Sequence, residues 1–342
     1  MTPSTSHSIH NIQMLRAVAA MMVIMHHMLP HYQAMGETVA VIDLISQWGF
    51  AGVDIFFVIS GFIMAYTTLN KERTFSNAKI FFKHRIFRIY LGYWPFFLLM
   101  LLSLYYINSS KLDTLDIIGS FLLTNADMFK LVLPVSWSLS YELYFYALFL
   151  FTFFFTVKQL HTLIPLFSLF ILSLVLITFS NPELPQSFFY SPFILEFFSG
   201  VLLYMYRRSL MRYWLLPLSL LLIVVAYGYG ISYETKNGLF RVLTFGTGAL
   251  FVVLFVLILE EKQLFIAGKK IEVIGNASYT LYLSHLIIIQ LFFFSGLRNF
   301  FTNEGFLTPL LGWISLISLC LIFSIIYYEK IEKPIYQKAI KL

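Results

Sequence analysis

Ten stretches of about twenty predominantly apolar residues organise this chain, at 12–31, 48–69, 88–107, 138–157, 160–179, 188–206, 213–230, 240–259, 277–296 and 307–328. A helix of that length crosses the hydrocarbon layer of a bilayer, and inside that layer each backbone polar group must find its partner within the protein. The chain therefore reads as an all-α integral membrane protein with about ten transmembrane helices. Composition leaves no soluble alternative: 59% of the residues are hydrophobic and 12% charged, about half the usual charged fraction. So little polar surface cannot coat a soluble globule, which also excludes a disordered chain. The single cysteine, Cys320, sits in an apolar run and excludes a disulfide scaffold. The first stretch carries Arg16 and ends in Pro30-His31-Tyr32 without a small-residue cleavage site, so it reads as a retained helix and not a signal peptide.

The net charge of +6 is a matter of orientation. With the N-terminus placed in the cytoplasm, 17 of the 23 lysines and arginines fall on the cytoplasmic side, six of them (Lys71, Arg73, Lys79, Lys83, Arg85 and Arg88) in the segment 70–88. Only Lys111, Lys130, Lys236 and Arg298 fall opposite. That asymmetry predicts ten spans with both termini cytoplasmic. The long outer connection, 108–137, has an apolar stretch at 115–123 and predicts an amphipathic or re-entrant segment packed on the outer face. One membrane domain over 1–342 is expected, with no fused soluble domain. Residues 1–10 are expected to form a short polar tail in which His7 and His10 are solvated.

Charges at membrane depth are costly, so each nominates a functional site. Arg16 lies near the start of the first span, and Asp54, Glu142, Glu196, His26, His27 and His285 lie within spans, with His31 at an end. Arg16 and His27 are eleven positions apart, about 20° past three full turns, and so share one helix face about 16 Å apart along the axis. His26 points about 100° away from His27, and His31 returns to within about 40° of it. Counted from the span ends, His27, Asp54 and Glu142 share one level in the outer third of the bilayer. A carboxylate beside His27 would orient it as a general base; the alternative is a structural ion pair. Trp137 and Tyr141 read as members of an interfacial aromatic belt. Ser136, Ser138 and Ser140 read as helix caps or binders of a hydroxyl-rich ligand. Arg85 and Arg88 place two guanidinium groups on one helical face, suited to phosphate, although plain positive-inside charge is the commoner reason for a basic loop. His285, in Ser278-Tyr279-Thr280-Leu281-Tyr282-Leu283-Ser284-His285, either packs in the core or lines a polar pocket with Tyr279. No metal-ligand spacing is present, and Glu196 has no evident role.

These residues resemble the integral-membrane acyltransferase-3 family. The block Asn11-Ile12-Gln13-Met14-Leu15-Arg16 with its R-x10-H spacing to His27 is similar to that family's first helix. GVDIFFVISGF at 52–62, RIFRIY at 85–90, SWSLSYELYFY at 136–146, SYTLYLSH at 278–285 and Glu332-Lys333-Pro334 are similar to its other blocks, in family order. Leu91-Gly92 and Ala17 depart from the pattern where a proline and a glycine are frequent. The first helix most resembles the exopolysaccharide and O-antigen O-acetyltransferase branch. The resemblance implies transfer of an acyl group, usually acetyl, from acyl-CoA to a sugar hydroxyl of a surface polysaccharide or its lipid-linked precursor, in a bacterial inner membrane. It implies that Arg16 and His27 are essential, with Arg85 and Arg88 assisting the donor. Joined to the residue reading, it gives His27, Asp54 and Glu142 as the catalytic set and Arg16, Arg85 and Arg88 as donor-binding. His26, His31, Ser136, Trp137, Ser138, Tyr141, Tyr279 and His285 are candidate pocket residues. Acyl-CoA, a saccharide or lipid-linked saccharide and membrane lipids are the expected partners, with no permanently bound cofactor, no metal and no nucleic acid. The rival reading is a multi-pass transporter without covalent chemistry.

Overall fold

The computed structural model describes residues 9–181, 183–184, 188–302 and 305–341; His7 lies outside them. The described chain is helical, with no strand. We number its principal helices α1 (His10–Gln33), α2 (Ala40–Gln47), α3 (Gly52–Thr68), α4 (Phe75–Ile107), α5 (Ile117–Leu122), α6 (Trp137–Leu150), α7 (Val157–Ser180), α8 (Phe193–Met205), α9 (Leu215–Ser232), α10 (Gly238–Glu261), α11 (Lys269–Asn276), α12 (Ser278–Phe294) and α13 (Leu307–Ala339). Among the described residues, eight helical segments are long and apolar enough to cross a bilayer: α1, Gly49–Thr68, α4, α7, Phe188–Met205, α9, α10 and α13. A bent pair, α11 and α12, meets at 61° and adds a ninth. The stretch at 138–157 is shorter than its hydropathy implies, because α6 ends at Leu150 and passes into a 3-10 turn, Phe151–Phe154. By contrast, α4 starts well before residue 88. Thr74 caps it by accepting from Asn77 N–H, and the basic residues of its first turns had masked it from hydropathy.

Contacts between neighbours show that the ten apolar stretches alternate in direction. Gly49 lies against Met22 and Gly52 against Ala19, so α1 and α3 are antiparallel. Phe57 meets Phe197 and Phe62 meets Tyr204, so α3 and α8 run parallel. Phe57–Trp137 and Ser60–Glu142 align α6 with them, and Phe81–Phe153 with Tyr93–Ser136 sets α4 against α6. His27–His285 and Gly275–Gln13 place α12 alongside α1, while Ser284–Ser324 and Thr280–Glu332 turn α13 against α12. Phe167–Phe198 and His161–Tyr206 oppose α7 to α8, and Tyr227–Gly248 with Gly230–Phe245 opposes α9 to α10.

The tightest approach is α3 on α8. A Cβ added at Gly61 would lie 1.8 Å from Phe197 O, and one at Gly200 would lie 2.0 Å from Val58 O. Small residues bring helix backbones together in lipid, where packing drives association. Gly61→Ala should therefore separate the two helices and destabilise the fold by about 1–3 kcal/mol. Heating in detergent, followed by size-exclusion, would show this as a lower midpoint than wild type; an unchanged midpoint would refute the contact.

The N-terminus of α1 is anchored. Glu260 accepts from the N–H groups of His10 (2.9 Å) and Asn11 (2.7 Å), completing the first turn and favouring the helix dipole. The buried Asn11 side chain donates to Val256 O (3.0 Å) and Phe265 O (2.9 Å) and accepts from Ala267 N–H (2.8 Å). His10 keeps a 41% exposed side chain but pairs with Glu272, so the expectation that it belongs to an uninvolved polar tail is corrected: α1 begins at this residue and docks on α10 and α11.

The connection after α4 turns back. Tyr90, Tyr93 and Trp94 donate to the carbonyls of Leu122, Ser120 and Phe121 at 2.7, 2.8 and 3.2 Å, which sets α5 beside the middle of α4, as a re-entrant segment requires. Asp116 caps α5 by accepting from Gly119 N–H at 2.8 Å and from Asn125 Nδ2 at 2.9 Å. First the Asn125 bond and then the Gly119 bond hold its carboxyl below the usual aspartate value. The cap's contribution is therefore complete above the ordinary aspartate pKa and is lost as pH falls through the lowered one. Asp116→Ala should cost this segment about 1 kcal/mol, read as faster amide exchange over 117–125. Exchange at the wild-type rate would refute the cap.

Candidate active site

A cavity of about 490 Å³ lies between α1, α3, α4, α6, α12 and α13. Arg16, Lys71, His84, Arg85 and Arg88 line it, with Ser60, Glu142, Tyr146 and Tyr279, and it reaches Ser138, Phe56 and Tyr282. Helix geometry explains the convergence. Arg85 and Arg88 are three residues apart on α4, and the anchored first turns of α1 fix the level of Arg16.

Each arginine has a defined seat. Arg16 Nη1 donates to Gln13 Oε1 at 3.1 Å. Arg85 donates to Thr67 Oγ1 at 3.1 Å and lies over the rings of Tyr146 and Phe81. Arg88 lies over Tyr279, 5.4 Å from its centroid, and 3.6 Å from the Glu332 carboxylate. Glu332 ends a π-helical turn, Tyr328–Glu332, and also accepts from Thr280. Tyr279 reaches Ile89 O at 2.9 Å because Gly92 leaves room for its ring: an added Cβ would come within 2.3 Å of it. Even with Glu142 and Glu332 present, the cluster keeps a cationic excess, suited to a phosphate-bearing ligand.

Beyond the end formed by Tyr282 lies a pair of histidines. The rings of Tyr282 and His285 are 6.1 Å apart. His285 Nε2 is 3.3 Å from His27 Nδ1, which is itself 2.9 Å from Val23 O. His285 is fully buried and His27 half-buried.

The expected meeting of His27 with Asp54 or Glu142 is corrected. The chain between α1 and α3 folds down along α1: α2 precedes a 3-10 turn at Gly49–Ala51, and Ser46 O bonds His26 Nδ1 at 3.1 Å. Helix α3 therefore starts level with Ala19, and Asp54, two positions on, sits level with residue 17, about 15 Å from His27 along the axis. Its partner is Arg241, which binds it through Nε (3.0 Å) and Nη2 (2.8 Å). Glu142 lies further along, where Ser60 (3.2 Å) and Tyr146 donate to it.

The remaining candidates separate. Ser138 and Tyr279 line the cavity, and Ser138 bonds Tyr282 OH at 2.8 Å. Ser136 and Ser140 spend their hydroxyls on the carbonyls of Leu133 (2.7 Å) and Asn125 (2.7 Å). Trp137 and Tyr141 pack inward with Phe57 and Phe193, not in an outer belt. His31 stacks near Phe293, and His26 lies against Phe50. Glu196 is buried beside Asp54 and Arg241. No group of three His, Cys, Asp or Glu that could hold a metal occurs among the described residues. Sequence reasoning gave no role to Arg241, Thr280, Tyr282 or Glu332. The charge of Arg241 inside an apolar stretch was the available signal.

A family model described as an acyltransferase domain, of the acyltransferase-3 type, matches residues 9–329. No curated protein and no solved structure matches the chain.

Proposed function

The chain belongs to the acyltransferase-3 family, and on that premise we propose that it moves an acyl group, most simply acetyl, from acyl-CoA to a sugar hydroxyl. The acceptor is a cell-surface polysaccharide or its lipid-linked precursor, as in the exopolysaccharide and O-antigen branch, and the membrane is a bacterial inner membrane. The observation carrying this reading is the arginine-lined cavity with its far end against the His27–His285 pair. Ten crossings with cytoplasmic termini put the cavity's basic end in the cytoplasm. The alternating helix directions support that count, and the lysine and arginine bias supports the sidedness.

In this reading Arg85, Arg88 and Arg16 hold the donor's phosphates, and Glu142 balances their charge. The thiol arm extends past Ser138 and Tyr282 toward His27, a path of about 16 Å from the level of Arg16. The acceptor hydroxyl meets His27 from the opposite side. Its proton passes to His27 Nε2 as its oxygen bonds the thioester carbonyl carbon. The C–S bond then breaks, and the thiolate leaves with that proton as free CoA. His27 works here by position, since a base acts only within hydrogen-bond reach of the proton it takes.

Purified protein in liposomes, supplied with labelled acetyl-CoA and acceptor glycan, should place covalent label on the sugar. Accumulation of substrate without covalent label would favour transport instead. Glycan mass spectrometry of a deletion strain would identify the acceptor. Arg85→Ala should raise the KM for acetyl-CoA about 10- to 100-fold, the scale of one hydrogen bond to a charged group, and leave S-acetyl-N-acetylcysteamine, which has no phosphate, unaffected. Equal losses with both donors would remove Arg85 from phosphate binding.

A further inference from the structure

The histidine pair carries an inference of its own. His27 Nδ1 faces Val23 O at 2.9 Å, and His285 Nδ1 faces Leu281 O at 3.3 Å. A backbone carbonyl only accepts, so both Nδ1 atoms carry the hydrogen and both Nε2 atoms carry the lone pair. His285 Nε2 is then an acceptor 3.3 Å from the His27 Nδ1–H, which it shares with Val23 O. The two rings lie 5.0 Å apart at 51°. Among the described residues, no carboxylate acts on either ring in the place that Asp54 or Glu142 was expected to fill.

We propose that His285 is the positioning residue for His27: its Nε2 accepts the His27 Nδ1–H, holds the ring with Nε2 free for the acceptor hydroxyl, and stabilises the imidazolium that forms during transfer. The inference rests on the acyl-transfer reading above. The bookkeeping of atoms is unchanged by it. The hydroxyl proton arrives at His27 Nε2 and leaves with the CoA thiolate, while the Nδ1 proton stays on His27 and its hydrogen bond to His285 strengthens as the ring gains charge. A charge-assisted bond is about twice as strong as a neutral one, so the pairing favours the transition state over the resting enzyme. His26 does not compete for this task, because its Nδ1 is committed to Ser46 O.

The test compares His285→Leu and His285→Gln in the reconstituted transfer assay, with wild type and His27→Ala as controls. Leucine removes the acceptor atom, whereas glutamine retains an oxygen acceptor that cannot hold a ring in the core by shape alone. His285→Leu should lower kcat about 10- to 100-fold, taking as a guide the losses seen when partners that orient metal-bound histidines are removed, with the KM for acetyl-CoA unchanged. His285→Gln should recover kcat to within about tenfold of wild type. A wild-type kcat in His285→Leu overturns the proposal. So does a His285→Gln kcat as low as that of His285→Leu, or more than about 100-fold below wild type, which holds even where the leucine variant does not fold. If wild type and His27→Ala transfer label equally, the acyl-transfer reading of His27 fails instead.

Discussion

His27→Ala should reduce acyl transfer about 100- to 10,000-fold, the contribution of a positioned general base, with little change in the KM for acyl-CoA. The separation of effects follows from geometry. The arginines that line the cavity are on α1 and α4, and His27 is not among the lining residues. It lies about 16 Å from Arg16 along α1, one layer beyond Tyr282. Removing the imidazole leaves the arginine seats intact and, on the proposed reading, removes a group that acts only during transfer, the pattern expected when kcat and kcat/KM fall together. His26→Ala is the matched control, because it deletes the neighbouring ring, whose Nδ1 bonds the backbone. Steady-state rates with labelled acetyl-CoA decide the matter. A His27→Ala enzyme working at the wild-type rate, or one that loses donor affinity alone, would remove His27 from the chemistry.

The legible part of this fold was whatever hydropathy and charge carry. Long apolar runs survive as helices because the bilayer enforces their length and internal hydrogen bonding, and the alternation of helix directions follows their order. What hydropathy misplaced was depth. Counting residues from the edge of the 48–69 stretch set Asp54 near the outer surface, yet Gly49 and Gly52 bury the start of α3 against Met22 and Ala19. The amphipathic start of α4 was hidden for the opposite reason, since its basic residues suppress the hydropathy of a helix that α6 and α13 cover. Arg85 and Arg88 lie on the cavity together because R-x-x-R on one helix is a local pattern. The partners of Asp54 and His27 are set by tertiary packing across 187 and 258 positions, a distance over which one sequence carries no pairing information.

Asp54 is accordingly expected to matter for stability and not for the transfer step. It is fully buried, with Arg241 only 7% exposed, and the guanidinium grips both carboxylate oxygens. Arg241 also donates to Phe50 O at 3.3 Å and is enclosed by the rings of Phe50, Phe193 and Trp137. Such a cage offers an unpaired cation neither water nor a second full counter-charge, apart from the neighbouring Glu196. Asp54→Leu should then cost about 3–5 kcal/mol, because it strands a buried charge, and most of the chain should aggregate on extraction. The double replacement Asp54→Leu with Arg241→Met removes both charges together and should recover much of that loss, since apolar pairs often substitute for buried ion pairs at little cost. Folded yield by size-exclusion, measured beside the specific activity of the folded fraction, separates the two roles. If the double variant folds to the wild-type yield and transfers nothing, Asp54 or Arg241 belongs to the reaction after all. If it folds and transfers at a rate near wild type, the pair is a strut that holds α3 to α10.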